Sequence, residues 1–222
     1  FNSIEDAHGF CRTMFDSVGI AKRELGLYNP AAAAYFSDVP SDLKAGEFMV
    51  VSLVAEQSKT PMLDLLAEYN GRVAWTQSFE EMTQSGLTMM EHCWNHATLH
   101  ALKHDKSFTN LQTNYDAENV LQQLADLKAE TGDEVEIHLE YIRLANGQLL
   151  ITGLPLVRYS SAERLQEIMD IHEKLGIKIN NSHVYTLEDG KHGGSLSDEI
   201  KASIKAYDPH RLLNRGKVRS MN

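Results

Sequence analysis

VEIHLEYIRLANGQLLITGLPLV, residues 135–157, decides the fold. Val135, Ile137 and Leu139 alternate with Glu136, His138 and Glu140, the period of two that gives a strand one apolar and one polar side. Asn146-Gly147 interrupts the pattern before QLLITGLPLV resumes it. Asn-Gly between two extended runs is a strong short-range hairpin signal, so an antiparallel pair is expected here. On either side lie amphipathic helical stretches, DAENVLQQLADLKAETG before the hairpin and SAERLQEIMDIHEKLG after it. Beyond these helices lie two more extended runs, FTNLQTNY at 108–115 and IKINNSHVYTL at 177–187.

The same reading carries to both ends of the chain. Ser3 precedes a helix whose apolar face is Ile4, Ala7, Phe10, Cys11, Met14, Phe15 and Val18, with Gly19 as its stop. AKRELGLY reads as extended and EFMVVSLVAE as a buried strand, and Thr60-Pro61 opens the helix PMLDLLAEYN. A helical stretch runs from Ser78 to about Asp105 with a break near Gly86, and LSDEIKASIKAYD forms a last helix stopped by Pro209. Hairpins mixed with helices, instead of a strict strand–helix alternation, predict an α+β chain with a mainly antiparallel sheet. No repeat or low-complexity linker divides residues 1–222, which read as one unit.

Composition narrows the function. The chain has 222 residues, 42% of them hydrophobic, and a formal charge of −10. That field repels phosphate backbones, so no nucleic-acid partner is expected. The apolar run FMVVSLVA, residues 48–55, is far shorter than the ~20 residues that span a bilayer, so no membrane span is expected. Cys11 and Cys93 stand alone and far apart, which fits a reducing, cytoplasmic setting.

Three strands carry polar sides without lysine: Glu136, His138 and Glu140; Asn110, Gln112 and Asn114; Asn181, His183 and Tyr185. Such residues can bind a polar small molecule while partly desolvated, although a solvent face or subunit contact has the same composition. EHCWNHATLHALKH, residues 91–104, spaces His92, His96, His100 and His104 four apart. Neighbouring pairs could grip one ion, but each step of four rises about 6 Å, so one helix cannot enclose a metal. There is no HExxH, and no metal site is expected. Trp94, Ala97, Leu99, Ala101 and Leu102 are the expected packing contacts of that helix. HGGS at 192–195 and Glu188-Asp189 read as turns, the first leading into an N-cap at Ser197.

The ending SDEIKASIKAYDPHRLLNRGKV resembles that of FAD-linked oxidases of the vanillyl-alcohol oxidase and p-cresol methylhydroxylase superfamily, where a helix runs into D-P-x-x-x-L-N-P-G-K. Here Asp208, Pro209, Leu213, Asn214, Gly216 and Lys217 match, and Arg215 stands where the family has proline. WNHATLHALK and NSHVYTLEDG extend the likeness to the family's C-terminal cap domain. The resemblance implies a ferredoxin-like sheet with helices on one face, roofing a flavin held mainly by an N-terminal FAD-binding domain that is missing from this chain. It implies hydride transfer from an alcohol-like or hydroxy-acid substrate to FAD. His183 is the candidate base, a role that needs reach to the hydroxyl proton. Tyr185, His138 and Glu140 are candidates to orient the substrate, and His96 to approach from its helix. Arg143 is a candidate for a substrate carboxylate or a plain salt bridge, while Asn214 and Lys217 lie near the cofactor by resemblance. LLITGLPLV and NSHVYTLEDG lack the family's H-x-G-D-G-N-x-H and E-H-G stretches, so a metal-assisted site is not expected and the substrate stays open. The competing reading is a cap-like module that binds a ligand or protein without redox work.

Overall fold

In the computed structural model, which describes residues 1–37, 41–88, 91, 93, 96–189 and 196–221, the elements run in this order. They are α1 (Ile4–Asp16), β1 (Lys22–Tyr28), α2 (Pro30–Ala33), β2 (Met49–Val54), α3 (Lys59–Glu68), α4 (Phe79–Ser85) and α5 (His96–His104). Then follow β3 (Phe108–Asn110), β4 (Gln112–Tyr115), α6 (Val120–Thr131), β5 (Val135–Glu136), β6 (His138–Arg143), β7 (Leu149–Gly153), β8 (Leu156–Arg158), α7 (Ala162–Lys174), β9 (Lys178–Asn180) and α8 (Asp198–Tyr207).

The hairpin forms between β6 and β7, with Arg143 opposite Leu149 and Tyr141 opposite Ile151. Its loop is a three-residue one: Leu144 N–H donates to Gln148 O at 2.9 Å and Gly147 N–H to Leu144 O at 2.8 Å. Gly147 takes φ 85°, the left-handed position that closes a type I turn with a bulge. The Asn146 side chain accepts from Gln148 N–H at 3.0 Å and holds the turn.

β4, α6, β6, β7, α7 and β9 make a ferredoxin-like unit. The larger sheet is ordered β2-β1-β6-β7-β4-β9 with antiparallel neighbours, so β7 lies between β4 and β6 and splits that strand–helix–strand unit. β1 and β2 extend it beyond β6. β3, β8 and β5 form a second, three-stranded sheet. The three long extended runs thus each break in two, at Leu111, at Ile137 and at Leu154-Pro155. The breaks align, since Leu111 N–H donates to Pro155 O and Leu154 N–H to His138 O.

One face carries the main core. Leu27, Leu139, Ile151 and Ile179 meet Phe10, Cys11 and Met14 of α1, Leu124 and Leu127 of α6 and Ile168 of α7. Fully burying a side chain of this size contributes about 1.5–3 kcal/mol. Ser3 caps α1 by accepting from Asp6 N–H, and Ser161 does the same for α7 at Arg164 N–H. A smaller core occupies part of the opposite face, where Tyr28, Val51 and Leu156 meet Ala33 of α2, Phe36, and Ala97 and Ala101 of α5. Helices therefore pack on the expected face, and α2 and α5 add a partial cover to the other.

Candidate functional site

Cross-strand pairs share a face, so register alone builds the second face of the sheet. One row runs from Gly26 through Glu140 and Thr152 to Asn114 and Lys178. The next pairs Tyr28 with His138 and, two strands further on, Gln112 with Asn180. Each row passes from buried to open. Glu140 and His138 are 1% and 0% exposed, Thr152 and Asn114 are half-buried, and Gln112 and Lys178 are exposed. Lys178 enters at the outer end, so the lysine-free pattern stops at the sheet's edge strand.

At the buried end His138 Nε2 lies 2.7 Å from Glu140 Oε1, and its ring stacks on Tyr28 with centroids 4.3 Å apart. Nε2–H donated to the carboxylate makes Nδ1 the lone-pair atom, and Nδ1 has no hydrogen-bond partner among the described residues. Gly26 leaves room for the carboxylate: a Cβ there would stand 3.1 Å from Glu140 Oε2. Cys93 is wholly buried beside this cluster, and burial, with the Glu140 and Glu24 carboxylates, pushes its thiol up to about 12. A thiol held so high is no nucleophile.

A second group sits on the smaller sheet. Glu136, on the same polar side as His138, accepts from Tyr35 Oη–H at 3.0 Å and from Arg158 at 3.2 Å. Burial raises its carboxyl above the ordinary value despite these donors. Across that sheet Asn110 pairs with Leu156, and Asn110 Oδ1 lies 3.2 Å from His183 Nε2. With Nε2–H donated to this amide oxygen, Nδ1 of the exposed His183 can accept a proton.

The strand expected over 177–187 is shorter than its pattern. β9 ends at Asn180, because the Asn181 side chain accepts from His183 N–H at 2.9 Å and turns the chain. His183 and Tyr185 therefore project from a loop and do not continue the strand face. His183 reaches Asn110, whereas His138 is buried against Tyr28 and Glu140, so these contacts do not bring the candidate base His183 and the candidate orienting residues Tyr185 and His138 into one cluster. Tyr185 is 69% exposed and takes Lys217 Nζ over its ring at 3.5 Å.

That contact belongs to the C-terminal loop. Asp208 accepts from Leu212 and Leu213 N–H, Asn214 adopts φ 49°, and Leu187 N–H donates to Lys217 O at 2.8 Å. Glu188 accepts from Arg219 N–H at 2.7 Å and Ser220 N–H at 2.8 Å, which hold its carboxyl down at about 2. Asn214 and Lys217 thus lie in one folded loop with Tyr185.

The histidine ladder comes apart into separate roles. His96 Nδ1 pairs with Glu91 Oε2 at 2.9 Å, the buried His100 bonds Glu91 O at 3.0 Å, and His104 lies against the Tyr35 ring. His92 and Trp94 lie outside the described residues, as does the HGGS stretch. α5 buries Ala97, Thr98, His100 and Ala101, while Leu99 is 57% exposed, so the packing face is rotated from the expected one. No group of three or more His, Cys, Asp or Glu among the described residues could hold a metal ion. Arg143 is used structurally: it donates to Phe15 O and Gly147 O and lies over the Phe15 ring, fastening the end of α1 to the hairpin. No helix among the described residues is long and apolar enough to cross a membrane.

Tyr28, Gly26 and Thr152 were not singled out by sequence reasoning, because their place beside Glu140 follows from register, which a single strand's pattern does not carry. No protein-family model matches the chain, and no curated protein matches it significantly.

Proposed function

We propose that this chain is the substrate-side cap of a flavin-dependent oxidoreductase that oxidises an alcohol-like or hydroxy-acid substrate. The observation that carries the reading is the open half of the second sheet face, where Thr152, Asn114 and Gln112 stand on adjacent strands beside the buried Glu140–His138 pair. These amides and this hydroxyl offer donors and acceptors in a plane, a surface that fits the polar edge of a flat heterocycle and a small polar substrate. The same residues do not fit a pyrophosphate: Thr152, Asn114 and Gln112 all lie on strands and bring no helix start, and the sequence has no glycine-rich cradle. The flavin, when bound, supplies the hydride acceptor.

The chain's own residues do the rest. His183 Nδ1 takes the substrate hydroxyl proton, with Asn110 holding the ring. The carboxylate of Glu140 fixes His138, and the pair keeps the wall beneath the substrate polar and rigid. Tyr185, exposed and with Lys217 Nζ over its ring, is the proposed contact for the outer side of the substrate. In the product of the whole reading frame, His183→Ala slows substrate-dependent bleaching of the flavin by about 10²- to 10⁴-fold, the usual cost of a lost general base, with flavin retention little changed. Equal bleaching rates in the two proteins would remove His183 from this role.

A further inference from the structure

We infer that Lys178 selects the substrate by charge: it binds a carboxylate that a spacer the length of a benzene ring holds apart from the carbinol carbon. This names the substrate class of the open sheet face and rests on the flavin-cap reading. Lys178 closes the row that runs through Glu140, Thr152 and Asn114, so register places it on the second face, where it is exposed. It makes no ion pair among the described residues, whereas Lys174, one turn of chain earlier, pairs with Glu130 at 3.8 Å. Acids on its own side are engaged elsewhere. Asp116, two residues beyond Asn114, accepts from Glu118 N–H at 2.9 Å and from the Asn119 amide at 3.1 Å, and Glu140 is bonded to His138. The other cations considered for the site have partners too: Arg143 donates to Phe15 O and Gly147 O, and Lys217 lies over the Tyr185 ring. On a chain of net charge −10, one cation beside Thr152, Asn114 and Gln112 favours an anionic group at that end of the row.

Spacing sets the kind of acid. Lys178 lies opposite Asn114, the next row pairs Gln112 with Asn180, and Asn110, two residues before Gln112, holds the His183 ring at 3.2 Å. Residues two apart on a strand repeat roughly every 7 Å, so the Lys178 row and the anchor of the base stand two such steps apart, roughly 14 Å along the main chain. The four-carbon stem of the lysine covers part of that span, and its ammonium is a point charge that follows a carboxylate without a fixed fork. The imidazole covers another part. What remains suits a substrate with its acid at one end and its alcohol at the other. A 2-hydroxy acid carries its carboxylate on the carbinol carbon itself and cannot meet both groups.

The test begins with residues 1–222 and three probes: 4-(hydroxymethyl)benzoate, its neutral counterpart 4-methylbenzyl alcohol, and mandelate, whose carboxylate sits on the carbinol carbon. The amide NMR signals of Thr152, Asn114 and Lys178 shift saturably with 4-(hydroxymethyl)benzoate, and its affinity exceeds that of either other probe by about tenfold or more, the effect of a hydrogen bond to a charged group. Lys178→Met removes this preference and Lys178→Arg keeps it. Equal affinities, tighter binding of mandelate, or a preference that survives Lys178→Met overturns the inference and leaves Lys178 as a charge that guards an edge strand. In the flavin-holding product of the whole reading frame, Lys178→Met raises KM for 4-(hydroxymethyl)benzoate by about tenfold or more with a smaller change in kcat, the mark of a binding contact; a loss confined to kcat also overturns the inference. A whole product without flavin overturns the cap reading instead, and the binding comparison on residues 1–222 still decides on Lys178.

Discussion

Glu140 and His138 show how one alternating strand can hide its polar side. Replacing Glu140 by alanine leaves the wholly buried His138 without its 2.7 Å partner, and a buried donor left unsatisfied costs about 1–3 kcal/mol. Glu140→Ala should therefore lower the denaturant midpoint strongly, and Glu140→Gln, which keeps an acceptor and the volume, should lower it less. Equal losses would mean that packing, not the hydrogen bond, matters there. His172 sets an acid limit. Its Nδ1–H donates to Ile168 O at 2.7 Å, yet burial outweighs that bond and lowers the pKa from 6.5. The folded state keeps this ring neutral while the unfolded chain takes up the proton. Its contribution is complete above about pH 6.5 and is lost as pH falls from there through the lowered folded pKa. His8, lowered chiefly by burial, acts in the same sense. His172→Leu should flatten the fall in denaturant midpoint between about pH 7.5 and about pH 5.5; an unchanged slope would assign the acid sensitivity elsewhere.

Among elements, what was legible in the sequence is what is local. The apolar set Val135, Ile137 and Leu139 faces α1, α6 and α7 as the period of two predicts, and the Asn146-Gly147 loop closes where expected, because both depend on a few consecutive residues. What was illegible depends on distant partners. The breaks at Leu111, Ile137 and Leu154-Pro155 lie inside runs whose alternation continues unbroken, and only their mutual alignment divides them into two sheets. α5 turns Leu99 outward and His100 inward because Phe36 and the Glu91 carbonyl receive His100. β9 ends early because one Asn side chain bonds its own backbone two residues on. The C-terminal loop is held at the element scale by Glu188, whose depressed carboxyl ties Arg219 and Ser220 to the 185–189 turn. Glu188→Gln keeps the shape and loses the charge, so protease should clip the tail after Tyr207 faster than in the parent chain while the sheet stays protected. The same acceleration appears in the parent as pH falls below about 4.5 and toward the depressed value near 2. Identical clipping rates would show that Glu188 does not anchor the tail.

For the whole molecule, the α+β class and the antiparallel sheet were readable from the order of periodic segments, and the site only in part. The polar strand faces were visible residue by residue, whereas the division of that face into a buried half under α2 and α5 and an open half at β7, β4 and β9 arises only when all the elements pack. The account rests on the open half being one wall of a flavin site. The most direct measurement is the flavin absorbance retained through gel filtration by three proteins: the product of the whole reading frame, that product with Asn114→Leu, and residues 1–222 alone. The account predicts a flavin band in the first, a shifted band with weaker retention in the second because Asn114 lies on the open row, and none in the third. A colourless whole product, or a full equivalent of flavin held by residues 1–222 alone, would contradict it.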